Sequence, residues 1–364
     1  MTKASFVVVS DVGDPTNPRT WSGTPSHLIS ALQRNGCEVT GLDITPARIV
    51  RGALSLLSWA SVQGRQYRRT RLASAFYSLG KLKEIGDEGA VFLYMGTATI
   101  PLGTRKRDVR HVLFMDSTFH LSLSSPIMKL SETLCRKYDK FEREAIAAAD
   151  HIFTVSECAK ADIVDHYAIS AERVTAVGTG MGGIRPTEGK KDYSACTTLF
   201  VAKQRFEEKG GLLLLEGFRL AQKENPRLKL IVVATEPYRY MTEQVPGVTF
   251  KTALSWEALE AYFNEASLFA MPALYEPWGL VYVESLACRT PVLGMNRNAL
   301  PELTQNGKYG FLLNDANPSS VAGALLEAFS NIEQLAEMGC GGQEYVQGRY
   351  TWDKVALRIV QELF

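Results

Sequence analysis

The chain has no two cysteines at metal spacing. Its six, Cys37, Cys135, Cys158, Cys196, Cys288 and Cys340, are scattered without a C-x-x-C among them, and no histidine joins them at zinc-site spacing. A disulfide framework or zinc centre is therefore not expected, and the thiols read as reduced, mostly packed groups of a cytoplasmic protein. No apolar run approaches the roughly 20 residues that a membrane-spanning helix needs. We expect no secretory leader either, because Phe6-Val-Val-Val-Ser10 is too short an apolar run and lacks a cleavage pattern. No D-x-D carboxylate pair occurs, so nothing in the sequence asks for a divalent metal. One further absence is local: between Ile44 and Lys83 there is no Asp or Glu.

What is there fits a soluble α/β protein. The 364 residues suffice for about two domains, and a hydrophobic share of 46% with 22% charged residues is globular in kind. The net charge of +1 conceals the acid-free stretch, where Arg48, Arg51, Arg65, Arg68, Arg69, Arg71, Lys81 and Lys83 stand among Leu54, Leu56, Leu57, Trp59, Tyr67 and Phe76. Cations beside apolar and aromatic groups suit an anionic membrane surface, each contributing on the order of 1 kcal/mol. A solvated basic helix and a groove for an acidic acceptor are the competing readings, and no nucleic-acid partner is expected.

Strand-like and helix-like segments alternate along the chain, the pattern of doubly wound parallel sheets. Phe6–Ser10 is a buried strand by composition. A polar loop follows, and Gly23-Thr-Pro25 opens a helix that ends at Gly36, with proline just inside the start and glycine just past the end. Further strands are expected at 40–44, 90–95 and 112–115. The last runs into Asp116-Ser-Thr-Phe-His120. Ligands of such folds collect at the carboxyl ends of strands, which marks Gly23, Asp116 and His120. Glu142 and Glu144, on a long helix ending near residue 149, read as a solvated face. Gly178-Thr-Gly-Met-Gly-Gly183 spells G-x-G-x-x-G after a strand, but Ile184-Arg-Pro cannot supply the helix that a dinucleotide site requires, so it reads as the start of a linker.

The pattern then restarts. A strand at 197–202 leads through Lys203-Gln-Arg-Phe-Glu-Glu-Lys-Gly-Gly211 to a helix, and a strand at 268–271 leads to the stretch around which the chain is organised, Met271-Pro-Ala-Leu-Tyr-Glu-Pro-Trp-Gly279. Pro277, Trp278 and Gly279 turn the chain into a helix that carries Glu284. Backbone N–H groups at a helix start, here those of Gly279, Leu280 and Val281, form a seat for phosphate. Glu284 lies in an otherwise apolar run, and a carboxylate there needs a partner, for which ligand hydroxyls are suited.

The string from Glu276 to Glu284, with Asn298-Ala-Leu-Pro-Glu302 and Gly307 to Leu313 after it, resembles the donor site of retaining glycosyltransferases of the GT-B fold, glycosyltransferase family 4. The resemblance implies two Rossmann-like doubly wound domains facing a central cleft: an acceptor domain at 1–183, a linker at 184–196, a nucleotide-sugar domain at 197–350 and a C-terminal helix at 351–364 that crosses back to the first domain. It implies that Glu276 lies beside the transferred sugar and that Glu284 holds the ribose. Lys209, with Lys203 or Arg205, would grip the diphosphate, because cations at a helix start are unfavourable without an anion. Gly23 is carried over as a donor-binding residue, from a loop that in the family reaches toward the donor's diphosphate and the acceptor and often holds two glycines. Asp116 or His120 would orient or deprotonate an acceptor hydroxyl, against the simpler reading of Asp116 as a turn cap.

The implied activity moves a hexose from a nucleotide-diphosphate sugar to a glycan or lipid-linked acceptor, with retention and without metal or other cofactor. Its setting would be the synthesis of cell-surface glycan, lipopolysaccharide or glycolipid, at the inner face of the plasma membrane. A phosphorylase, a sugar-nucleotide hydrolase or a silent partner protein of the same fold are the alternatives.

Overall fold

The computed structural model describes residues 4–60, 68, 73–74, 89–102, 109–125, 128–186 and 188–364. Near-continuous apolar runs cannot form half-solvated strands, so they are covered on both faces, and the chain builds two six-stranded parallel sheets. The first compact unit runs to Ser124, resumes from Met128 to Gly180 and takes in Trp352–Phe364; the second covers Met181–Thr351.

In the first unit the strands are β1 (Ser5–Ser10), β2 (Glu38–Asp43), β3 (Val91–Met95), β4 (Arg110–Met115), β5 (His151–Thr154) and β6 (Val174–Ala176), ordered β2-β1-β3-β4-β5-β6. From β1 the chain goes to β2 on one side and β3 on the other. That reversal opens a crevice at the carboxyl ends of β1 and β3, with β4 next in line. The C-terminal helix Trp352–Leu363 packs on the helix Thr24–Arg34: His27 stacks on Trp352 with ring centroids 5.9 Å apart, and Phe364 meets Phe6 edge-on at 6.1 Å.

The second unit repeats the plan with β7 (Thr197–Ala202), β8 (Lys229–Ala234), β9 (Val248–Lys251), β10 (Leu268–Ala270), β11 (Val292–Met295) and β12 (Gly310–Leu313), ordered β12-β11-β10-β7-β8-β9. Its reversal lies between β7 and β10. The loops leaving those two strands are the ones that carry Lys203–Lys209 and Glu276–Gly279. Both sheets are those of Rossmann-like domains, as the alternation of segments predicts.

One expectation needs adjustment. Residues 184–196 do not hang between the units as a linker but belong to the second: the Lys191 ammonium donates to the carbonyls of Cys288 (2.7 Å) and Phe263 (3.1 Å), and the buried Tyr193 donates to that of Arg289. The glycines at 178–183 precede no helix; a Cβ at Gly180 would collide with the Trp352 indole, so close packing accounts for that glycine. Of the basic stretch, the structure describes the helix Arg48–Ala60 and Arg68, while Arg65, Arg69, Arg71, Lys81 and Lys83 lie outside the described residues.

Candidate active site

In the second unit, the loop after β10 is fixed from three sides. Leu274 N–H donates to the Glu208 carbonyl in the loop after β7 (2.9 Å), Arg297 after β11 donates to the Leu274 carbonyl (3.2 Å), and the buried Tyr282 hydroxyl donates to the Met271 carbonyl (2.7 Å). Trp278 is buried edge-on against Tyr350, with centroids 5.2 Å apart, which anchors the turn. Gly279 then starts the helix Leu280–Ala287 at φ 77°, in the left-handed region, and no side chain caps it. A Cβ there would run into the Tyr282 ring, so glycine is needed for both conformation and space.

This architecture gathers the candidate donor residues. Lys209 Nζ lies 3.3 Å from Glu276 Oε2, and both side chains are largely covered. Lys209 also sits directly before Gly210, the left-handed N-cap of the helix Gly211–Glu224, which no side chain caps either. The two switch-point helices thus start beside one ion pair, and each presents a positive dipole end. The two remaining cations part company. Arg205 bonds the buried Glu208 carboxylate at 3.4 Å, whereas Lys203 lies over the Trp256 ring at 4.6 Å and acts electrostatically on Glu284.

Glu284 is 8% exposed, and its partner is part of the fold: it accepts backbone N–H bonds from Ile184 and Gly183. A Cβ at Gly182 would collide with its Oε1. Burial pushes its pKa up to about 7, against the downward pull of the Ile184 N–H, Lys203 and the Gly183 N–H. Sequence reasoning missed this cradle because it lies a hundred residues upstream, in the stretch read as a linker. It also missed Asn298, held at φ 53°, whose buried Oδ1 has no partner and lines a small cleft with Glu276, Tyr282 and Arg297.

In the first unit, Gly23 caps the helix Thr24–Arg34 at φ 83° after Trp21 (φ 44°) and Ser22 (φ 55°). Two non-glycine residues in that region cost about 1–2 kcal/mol each, strain that persists only where the surroundings impose it. Asp11, at the end of β1, is 3% exposed and paired with Arg68, so one cation of the basic stretch is already committed.

Asp116 and His120 follow β4, Asp116 half-buried and His120 exposed. His120 Nδ1 lies 2.6 Å from Asp162 Oδ1. Glu142 corrects the reading of a solvated face: it is 2% exposed and accepts from Thr97 Oγ1 (3.1 Å), the Tyr167 hydroxyl (2.7 Å) and Phe119 N–H. Its position on the helix Glu132–Ala148 turns it toward the loop after β4 rather than toward water, and three donors offset the cost of burying its charge. Glu144 is half-buried. Among the described residues, no group of three or more His, Cys, Asp or Glu could hold a metal ion, and no helix is long and apolar enough to cross a membrane. All six cysteines are free.

Comparison with known proteins agrees with this layout. Residues 191–345 match the family model for glycosyl transferases group 1. Over 241 residues, 59% of this chain and 52% of the relative, the sequence is 26% identical to a D-inositol 3-phosphate glycosyltransferase of Streptomyces bingchenggensis. The chain therefore spans about half the length of that relative. Among solved structures it is similar to sucrose-phosphate synthase from Thermosynechococcus elongatus, with a TM-score of 0.72 at 16% identity over 99% of this chain and 98% of the other. It is also similar to Anabaena HepE in complex with UDP and glucose, with a TM-score of 0.62 at 13% identity and 99% coverage of both. The matched segment lies wholly within the second unit and contains Lys203, Arg205, Lys209, Glu276, Gly279 to Val281 and Glu284, and the solved structures share the fold of two Rossmann-like domains.

Proposed function

We propose that the protein is a retaining glycosyltransferase of family 4 that moves a hexose from a nucleotide-diphosphate sugar to an acceptor hydroxyl. The observation that carries this reading is the Lys209–Glu276 pair between two uncapped helix starts, with Glu284 on one of those helices. In the free protein the ammonium and the carboxylate neutralise each other. A donor would part them: its diphosphate takes Lys209, Lys203 and the amides of Gly279, Leu280 and Val281, where charge grows as the bond to the sugar breaks. Glu276 then faces the sugar, for whose hydroxyls Asn298 Oδ1 is a further acceptor. The ribose diol bonds to Glu284. Lys203 is favoured over Arg205 as the first cation because Arg205 is tied to Glu208. With cations and amides on the diphosphate, no metal is required, and activity in excess EDTA tests that. In this reading Gly23 contributes to donor binding, and Asp116 or His120 addresses the acceptor hydroxyl.

The acceptor in this reading is a glycan or lipid-linked sugar of a cell-surface polymer, lipopolysaccharide or glycolipid, met at an anionic membrane face. Along the helix Arg48–Ala60, Ile49 (87% exposed) and Leu56 (65%) share one outer face, flanked by Arg48 on one side and Leu57 (54%) on the other, while Leu54 enters the core. Exposed aliphatic side chains beside an arginine, in a stretch without acids, match anionic lipid in both charge and polarity. Changing Ile49, Leu56 and Leu57 to Ser should abolish binding to phosphatidylglycerol vesicles; undiminished binding would sink the membrane reading. The transferase reading itself is tested by incubating the protein with UDP-, GDP-, ADP- and dTDP-hexoses and a panel of acceptors. Release of nucleoside diphosphate that depends on acceptor is expected, and release that depends only on water or free phosphate would contradict it.

A further inference from the structure

The loop after β4 is held by a side-chain network that the donor chemistry does not use. Asp162, whose side chain is 8% exposed, accepts from Thr118 Oγ1 with one oxygen and faces His120 Nδ1 with the other. Because a carboxylate only accepts, Nδ1 of the neutral ring carries the hydrogen and Nε2 is left with its lone pair. The backbone of the same residue is fixed too: His120 N–H donates to the Tyr167 hydroxyl (3.2 Å), which donates to Glu142. Behind the ring, His166 lies flat against it, with centroids 3.7 Å apart and planes within 4°. His166 Nε2 is in turn 2.8 Å from Asp139 Oδ1, and Arg143 donates to the His166 carbonyl (3.0 Å) and contacts Asp139. The Asp162, Asp139 and Arg143 side chains that meet the two rings sum to one negative charge, which suits the arrival of a single proton.

We propose that His120 is the base for the acceptor hydroxyl and that Asp162 and His166 are the positioning residues that keep its Nε2 open. The inference rests on the transferase reading above. As the acceptor oxygen bonds to the anomeric carbon on the same face that the diphosphate leaves, which keeps the configuration, its proton passes to Nε2. The bond from that carbon to the diphosphate oxygen breaks, and the electron pair leaves with the nucleoside diphosphate. The proton then returns to solvent from Nε2, and Nδ1–H stays on Asp162 throughout. A flat neighbour at 3.7 Å restricts ring rotation, and the anchored carboxylate fixes the tautomer, so the lone pair is in place before the acceptor arrives.

Two measurements test this. With five histidines in the chain, nitrogen-15 NMR of labelled histidine, assigned with His120→Gln, should find the neutral His120 ring of the wild type in the Nδ1–H form. Asp162→Ala should return it to the Nε2–H form common in water; a wild-type ring already protonated on Nε2 would overturn the proposal. In transfer assays, His120→Gln should lower kcat about 10²- to 10⁴-fold, with KM for the donor unchanged. Asp162→Asn should show the same split at about 10- to 100-fold, and His166→Phe, which keeps a flat neighbour, should lose less than His166→Ala. A wild type that transfers sugar while His120→Gln keeps its kcat would overturn this proposal alone. A wild type that turns over no nucleotide sugar would overturn the transferase reading and the base with it.

Discussion

The two units use the same sheet plan but build their candidate sites differently. In the second unit the residues come from the two loops at the strand reversal: Glu276, Gly279 and Glu284 lie within nine residues, and Lys209, from the other loop, comes within 3.3 Å of Glu276. In the first unit the loop after β4 is held by Asp162, Tyr167 and Glu142, none of which belongs to a motif. In the proposed function, holding a diphosphate and a ribose is one problem with a compact solution, which a short string can encode. Addressing an acceptor is particular to each protein, and its supports are spread through the fold.

That contrast can be broken most forcefully at Lys209. Lys209→Ala should cut kcat/KM for the donor by about 10²- to 10³-fold, because it removes a cation from the developing charge and leaves Glu276 unpaired. A loss under tenfold would place the leaving group elsewhere. The next test is one of pH. Glu284 titrates near 7 in the folded protein against an ordinary value of 4.5. The folded state therefore holds the proton more tightly than the unfolded chain, so stability is fully present below about pH 4.5 and falls as pH rises toward 7. The loss is on the order of 3 kcal/mol. Urea titrations across that window should show the slope in wild type and not in Glu284→Gln; equal slopes would mean that burial does not govern this carboxylate. Third, Gly279→Ala should destabilise the protein by about 1–3 kcal/mol through a left-handed φ and the Tyr282 ring, read as a lower Tm. An unchanged Tm would show that the turn relaxes freely. The smallest effect sharpens an assignment: Lys203→Ala should weaken nucleotide binding roughly tenfold, about 1.4 kcal/mol, and Arg205→Ala by clearly less. The reverse order would move the first cation to Arg205.

Much of the second unit was legible because its chemistry and its geometry share one stretch of chain. An apolar strand, a glycine that must turn left-handed and a glutamate in an apolar run announce themselves without a fold. The strand alternation gave both sheets for the same reason, since parallel strands buried on two faces are apolar throughout. What could not be read was whatever depends on distant neighbours. Glu142 looks solvated by its charged surroundings in sequence, yet Thr97, Tyr167 and Phe119 converge on it. The apolar run around Glu284 shows that its carboxylate needs partners, but not that the backbone of Gly183 and Ile184, a hundred residues upstream, is among them. Arg68 looks like one more surface cation, but the carboxylate it neutralises is at the end of β1.

The most direct test of the central claim is a thermal-shift titration of UDP, GDP, ADP, CMP and dTDP against wild type, Lys209→Ala and Glu284→Ala. A ligand at about 100 times its Kd stabilises a folded protein by about 2.7 kcal/mol. One nucleoside diphosphate should raise the Tm of wild type in proportion to the logarithm of its concentration, with most of that shift lost in both variants. No shift from any nucleotide, or a shift that both variants retain, would contradict a donor site built on the Lys209–Glu276 pair and Glu284.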